Sequence, residues 1–243
     1  MRIIHRFLAA AALLALAAPA LAQSAAEQAF GRQRARSQAL VAKLAGQYRA
    51  LDANWSATLP GPALLLGLDA PARAADPAQA ALLFAKDHAA LWGVSAADLH
   101  VVGAIASRAG HSVHLGLAVA VGVAAAPLLD RRLTVTLAPD GLRVRSVASD
   151  LLPVPALRAA SVPAEVARER ALRFVGLCED ARAAPCVALL RATTARLAVL
   201  ADVAGAAPVW VVDVQPGGPL DRRSVLVDAM GGAALRQVPV AVD

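Results

Sequence analysis

Residues 131–147, Arg-Arg-Leu-Thr-Val-Thr-Leu-Ala-Pro-Asp-Gly-Leu-Arg-Val-Arg-Ser-Val, constrain the fold more than any other stretch of the chain. Leu133, Val135 and Leu137 alternate with Thr134 and Thr136, and Leu142, Val144 and Ser146 then alternate with Arg143, Arg145 and Val147. Alternation at period two sends one row of each segment into a core and the other into water. Between them Pro139-Asp140-Gly141 supplies a fixed φ, a side chain that can cap its own turn, and a residue free to take positive φ. The pattern predicts a β-hairpin over 131–138 and 142–148 with one wet, basic face.

The start of the chain limits where such a hairpin folds. Arg2 and Arg6 flank a short positive segment, Phe7 to Ala18 is apolar, and Ala20-Leu21-Ala22 precedes Gln23 as a small-residue cleavage site. An apolar run of that length is too short to span a bilayer, so residues 1–22 read as a secretory signal peptide. No Cys follows the site to take a lipid, and no later stretch reaches eighteen consecutive apolar residues, so an exported protein without a membrane span is expected, periplasmic or extracellular. Removing Arg2 and Arg6 lowers the formal charge from +6 to +4. The remaining basic residues are scattered and aromatics are few (3%), which argues against a nucleic-acid surface.

Along the mature chain, Leu40, Val41, Leu44, Tyr48 and Leu51 share a helical face, and Arg32, Arg34, Arg36, Lys43 and Arg49 mark its wetter side, predicting a helix over 24–51. Residues 52–67 read as irregular and extended around Pro60-Gly61-Pro62. Asp76-Pro77 opens a helix, with Ala80, Leu83, Phe84 and Leu91 inward and Gly93 as its stop. Strands follow near 99–106, 112–121 and in the hairpin, closed by Pro153 and Pro155. Ser161 is read as the cap of a further helix with Pro163 in its first turn and Val166, Ala167, Ala171 and Phe174 on one face. After a loop holding Cys178 and Cys186 come strands near 193–201, 208–214, 223–228 and 234–240. A helix followed by an antiparallel meander is an α+β unit, and the chain holds that order twice.

This order resembles the prosegment of thermolysin-like and fungalysin-like metalloproteases, in which an FTP-type propeptide domain precedes a PepSY-type domain. The residues that carry the resemblance begin with Gly67-Leu68-Asp69-Ala70-Pro71, Asp76-Pro77, Ala80-Ala81, Phe84, Leu91-Trp92-Gly93-Val94 and Asp98-Leu99. They continue through His111-Ser112-Val113-His114-Leu115, Arg132 to Leu137 and Asp140-Gly141. The second half contributes Ser161 to Glu165, Trp210 to Val214 and Val225 to Gly232. The family places a Gln and a Tyr-Gly-x-Pro-Val segment where this chain has Leu115 to Val123, and it continues into a protease domain. The resemblance implies two tandem cystatin-like modules, each a helix on an antiparallel meander, at 67–155 and 156–243 behind an N-terminal segment at 23–66. It also implies an inhibitor or folding assistant whose partner is a thermolysin-type metalloprotease encoded elsewhere. The segment after the second module runs toward the protease cleft in that family, which makes Arg236, Val238, Pro239 and Val240 the candidate contacts.

Chemistry-bearing residues point away from catalysis. A zinc protease needs His-Glu-x-x-His, which the chain lacks, and His111 and His114 on a strand would face opposite sides. No Gly-x-Ser-x-Gly elbow is present. Asp213 and Asp228 could form an acid and base pair, but Asp228-Ala229-Met230-Gly231-Gly232 reads more simply as a strand entering a turn. Cys178 and Cys186 lack Cys-x-x-Cys spacing and in an oxidising compartment read as a disulfide, worth at most about 2–3 kcal/mol. The expectation is a non-enzyme without metal or cofactor. The alternative function is an extracytoplasmic module that binds a peptide or an envelope component.

Overall fold

The computed structural model describes residues 27–179, 183–202, 205–215 and 222–239, so the predicted signal segment lies outside the described residues. Among these the chain is α+β, with two antiparallel sheets of eight and four strands. A first helix, α1, spans 27–47. Its apolar face is the predicted one: Leu44 is buried, and Leu40, Val41, Tyr48 and Leu51 pack beside it. Arg34, assigned by sequence to the wet side, instead donates to the carbonyls of Ser56 (2.7 Å) and Leu59 (3.2 Å) and lies over the Trp55 ring. Ser37 is fully buried within the helix and donates to the Leu91 carbonyl at 2.7 Å, fastening α1 to the turn that follows the next helix.

The stretch read as irregular contains three short strands, β1 (Asp52–Asn54), β2 (Leu64–Leu66) and β3 (Ala70–Pro71). Between β1 and β2, the Trp92 indole donates to the Pro62 carbonyl at 3.2 Å. Gly61 is required there, because a Cβ would sit 2.7 Å from the Leu91 carbonyl oxygen. Helix α2 (Pro77–Asp87) begins as the sequence predicts, with the Gln79 amide donating to the Asp76 carboxylate at 2.8 Å. It ends earlier than Gly93; a short 3₁₀ turn, Ala89–Leu91, covers the remainder.

The strands β4 (Leu99–Ser107), β5 (Gly110–Val121), β6 (Ala124–Pro127), β7 (Leu133–Leu137) and β8 (Arg143–Ser149) complete the first sheet, ordered β1-β2-β8-β7-β5-β4. In addition, β3 pairs with β8, and β6 pairs with the far half of β5. Leu133, Val135, Leu137, Val113 and Leu115 are wholly buried under α2, which contributes Ala80, Ala81, Phe84 and Ala85.

The hairpin departs from simple alternation at one residue. Leu137 pairs with Val144 but Thr136 pairs with Ser146, so Arg145 is an extra residue on β8. This bulge puts Arg145 and Ser146 opposite one partner and resets the phase of everything after them. Val147, expected in water, is therefore buried at 1% exposure. Leu142, expected in the core, belongs to the turn and is 59% exposed. The turn chemistry itself is as read: the Leu142 amide donates to the Asp140 carboxylate at 2.9 Å, and Gly141 has φ 71°.

The second sheet, ordered β12-β11-β10-β9, contains β9 (Thr194–Asp202), β10 (Gly205–Val214), β11 (Arg223–Asp228) and β12 (Ala234–Pro239). Helices α3 (Ala164–Phe174) and α4 (Ala184–Ala192) cover one face of it. Two readings change here. Pro163 holds the capping position of α3, and the Ser161 hydroxyl donates to the Met230 carbonyl at 2.6 Å instead of capping. The inward residues of α3 are Ala167, Ala171 and Leu172, while Phe174 is exposed. A helix after the cysteine loop, α4, was not foreseen, since Val187, Leu189 and Leu190 also suit a strand. The two sheets meet where Leu128 bridges Val199 in parallel and the Leu129 amide donates to the Val199 carbonyl at 2.8 Å. Val199 and Ala201 thereby join the core of the first sheet.

The reset phase fixes a comparison. Val147→Ala should lower unfolding free energy by about 1.5–3 kcal/mol in urea titrations. Leu142→Ala should stay within about 0.5 kcal/mol of the parent. The reverse ranking would contradict the bulge.

Candidate interaction surfaces

Arg236, read as a contact residue, lies on β12 opposite Leu226, and its guanidinium reaches the Asp130 carboxylate at 3.2 Å. Asp130 sits between β6 and β7 and takes a left-handed φ of 54°. The pair thus links the last strand to the first sheet while remaining half exposed at Arg236 (51%). Val238 pairs opposite Ser224 and packs with Leu129 and Leu200 against Ala198, Val209, Val211 and Leu226. Pro239 ends β12, and Val240 lies outside the described residues. The segment read as a tail leading elsewhere is a paired strand as far as Pro239.

The strongest charge constellation was not singled out from sequence. Arg143 holds Asp69 with two side-chain contacts, Nε to Oδ1 at 2.5 Å and Nη2 to Oδ2 at 2.8 Å. The same Nη2 also donates to the Asp69 carbonyl at 2.6 Å, and Arg145 adds a second cation 3.5 Å from Oδ1. Both arginines do face water, as the alternation predicts, and the bulge makes them converge on one carboxylate. The Arg143 hydrogen bond holds the Asp69 carboxyl below the usual carboxylate range, with the charges of Arg143 and Arg145 acting in the same direction. Its chemistry is positional: it ties the segment before β3 to the edge of β8. Asp69 and Arg143 are 74 residues apart, so no local pattern announces the contact.

The other titratable groups are engaged structurally. The Asp228 carboxylate accepts the amides of Met230 (2.9 Å) and Gly231 (3.0 Å), which makes it a turn cap. Asp213 accepts from the Ser224 hydroxyl at 2.6 Å, four register positions from Asp228 along β11. No acid and base pair forms between them. His111 and His114 diverge as expected: one approaches the Pro139 carbonyl (3.3 Å), the other the Thr134 hydroxyl (3.0 Å). No group of three or more His, Cys, Asp or Glu side chains suited to a metal occurs among the described residues. Cys178 and Cys186 form the expected disulfide, with Cα atoms 5.5 Å apart and both residues buried. No helix among the described residues is long and apolar enough to cross a membrane. A depression of about 210 Å³ lies between Gly93–Ser95 and Leu117–Ala120, with Asp98 the one charged group in its lining. It is smaller than the roughly 300–1,000 Å³ of typical ligand pockets.

No protein-family model matches the chain, and no curated protein does. Among solved structures the chain is similar to the Bacillus megaterium YpeB C-terminal domain, at 12% identity and a TM-score of 0.38, over 79% of this chain and 76% of that one.

Two outcomes follow from this geometry. Because Asp69 has a lowered pKa, its stabilising contribution is present above the ordinary carboxylate value, about 3.9, and is lost as pH falls through the folded value. The melting temperature of the parent should exceed that of Asp69→Asn at pH 7, and the gap should close as the pH is lowered below about 3. Reduction of the disulfide should lower unfolding free energy by at most about 2–3 kcal/mol, read by denaturation with and without reductant.

Proposed function

We propose that this chain is an exported, non-catalytic, prosegment-like protein that inhibits a thermolysin-type metalloprotease, assists its folding, or both. The observation that supports the reading is the order of elements. A helix (α2) and an antiparallel set (β4, β5, β7, β8) are followed by a helix (α3) and a second antiparallel set (β9 to β12), the sequence of parts expected for an FTP-type module and a PepSY-type module. On this reading the two are tandem cystatin-like modules, at 67–155 and 156–243. The disulfide supports residence in an oxidising compartment, periplasmic or extracellular, after loss of residues 1–22.

The protease contact belongs to the exposed guanidinium of Arg236 and to the end of β12 with Val238, Pro239 and Val240. A second reading keeps the fold and replaces the partner: an extracytoplasmic module that holds a peptide or an envelope component on its sheet. The uncharged outer rows of the first sheet, Ile105-Ser112-Thr136-Ser146 and Gly103-His114-Thr134-Ala148, favour it.

Inhibition of thermolysin-type proteases by the protein purified after export separates the two. Dose-dependent inhibition, weakened by Arg236→Glu in a variant of unchanged circular dichroism, is the expected result. Truncation before β12 is avoided because it would remove a strand from the second sheet. Digestion of the intact protein without inhibition, across several such proteases, would move the assignment to the binding module.

A further inference from the structure

The outer side of β4 is an unusual sheet edge. Its nine residues pair with β5 from Leu99↔Leu117 to Ser107↔Gly110, and β4 ends the strand order of its sheet. Edge strands are normally guarded by Lys, Pro, brevity or a bulge, because their free amides and carbonyls invite another strand. Leu-His-Val-Val-Gly-Ala-Ile-Ala-Ser contains no proline and no Lys, Arg, Asp or Glu, and only the bulge at Val102 is present. The strand is exposed along most of its length, including Val101 (37%), Val102 (66%) and Ile105 (60%). Those are three of the nine large hydrophobic side chains exposed among the described residues, so the apolar exposure is concentrated on this edge.

The flanking charges identify the occupant. Asp98 lies five residues before Gly103 and Arg108 five after it; both are exposed. Neither has an ion-pair partner among the described residues. A strand with an acid at one end, a base at the other and a neutral apolar middle is complementary to itself when reversed. Antiparallel pairing of two copies about Gly103 brings Asp98 of each copy to the Arg108 end of the other, at both ends of the ribbon. Parallel pairing would set like charges side by side. The Arg108 side chain is long enough to span the one-residue offset that the Val102 bulge introduces. At the centre, a Cβ on Gly103 would meet nothing within 4 Å, so no side chain obstructs the axis.

We propose that β4 is a dimerisation edge, at which a second copy of this chain adds antiparallel around a two-fold axis near Gly103 and the two eight-stranded sheets become one. Such an interface is isologous, so each substitution acts at both ends at once. Backbone pairing supplies the attachment and the reciprocal Asp98–Arg108 contacts select its direction. This inference stands apart from the protease reading, since it uses neither β12 nor Arg236.

Sedimentation velocity over a concentration series, on the protein purified after export, tests it. The parent should show a monomer–dimer equilibrium. Asp98→Arg and Arg108→Asp should each raise the dissociation constant about tenfold or more, by creating like-charge contacts at both ends. The double variant should return to within about threefold of the parent. Ile105→Lys should leave only monomer. All three positions are exposed, and unchanged circular dichroism and melting temperature separate loss of assembly from loss of fold. A parent that stays monomeric up to roughly 1 mM, a dimer indifferent to the single swaps, or a double variant that fails to recover would each overturn the proposal.

Discussion

A strand inside a sheet must satisfy its amides and carbonyls along its whole length, and in this protein that requirement falls hardest on β5. Its first half, His111 to Leu115, is flanked by β4 and β7. Its second half, Ala118 to Val121, extends beyond β7 and needs other partners. On one side β6 doubles back against it. On the other, the Leu157 amide donates to the Ala120 carbonyl at 2.8 Å, and the Gly122 amide to the Leu157 carbonyl at 2.9 Å. The segment after the first sheet is thus drawn into the ladder. The turn after β6 delivers Leu128 and Leu129 to Val199, and the second sheet is attached through the same strand that organises the first.

Much of this was legible in the chain, for a definable reason. Period-two alternation, Asp76-Pro77 and Pro139-Asp140-Gly141 are local signals, and they located α2, the hairpin and the strands from β4 to β12 apart from β6. Ala124-Ala125-Ala126-Pro127 carries no β-branched residue and ends in proline, so the bond pattern of β5 creates β6 rather than its own side chains. The three short strands before α2 are similar cases: Leu64, Leu65 and Leu66 have no period, and their pairing with β8 decides their state. The misplaced pair Leu142 and Val147 has one cause, because a single extra residue inverts every facing after it.

The candidate surfaces divide along the same line. The disulfide could be anticipated, since two cysteines close in sequence need no tertiary information. The convergence of Arg143 and Arg145 on Asp69 depends on the Arg145 bulge and on a segment 74 residues away. The engagement of Arg236 by Asp130 spans 106 residues and rests on a left-handed residue that is not glycine. In each case sequence shows a charge and only the fold supplies its neighbour.

The way 150–160 is held has a consequence for what a cut there could do. This segment connects the two sheets, yet Leu157 is bonded to β5, and Val199 and Ala201 are buried among the side chains of the first sheet. Covalent continuity and physical attachment are therefore carried by different groups. A host enzyme that nicked an exposed bond near Pro155 or Arg158 would produce two polypeptides but not two particles. The fragments would remain docked through Leu128, Leu129 and Val199, and gel electrophoresis under denaturing conditions would report a cleavage that the folded molecule scarcely registers.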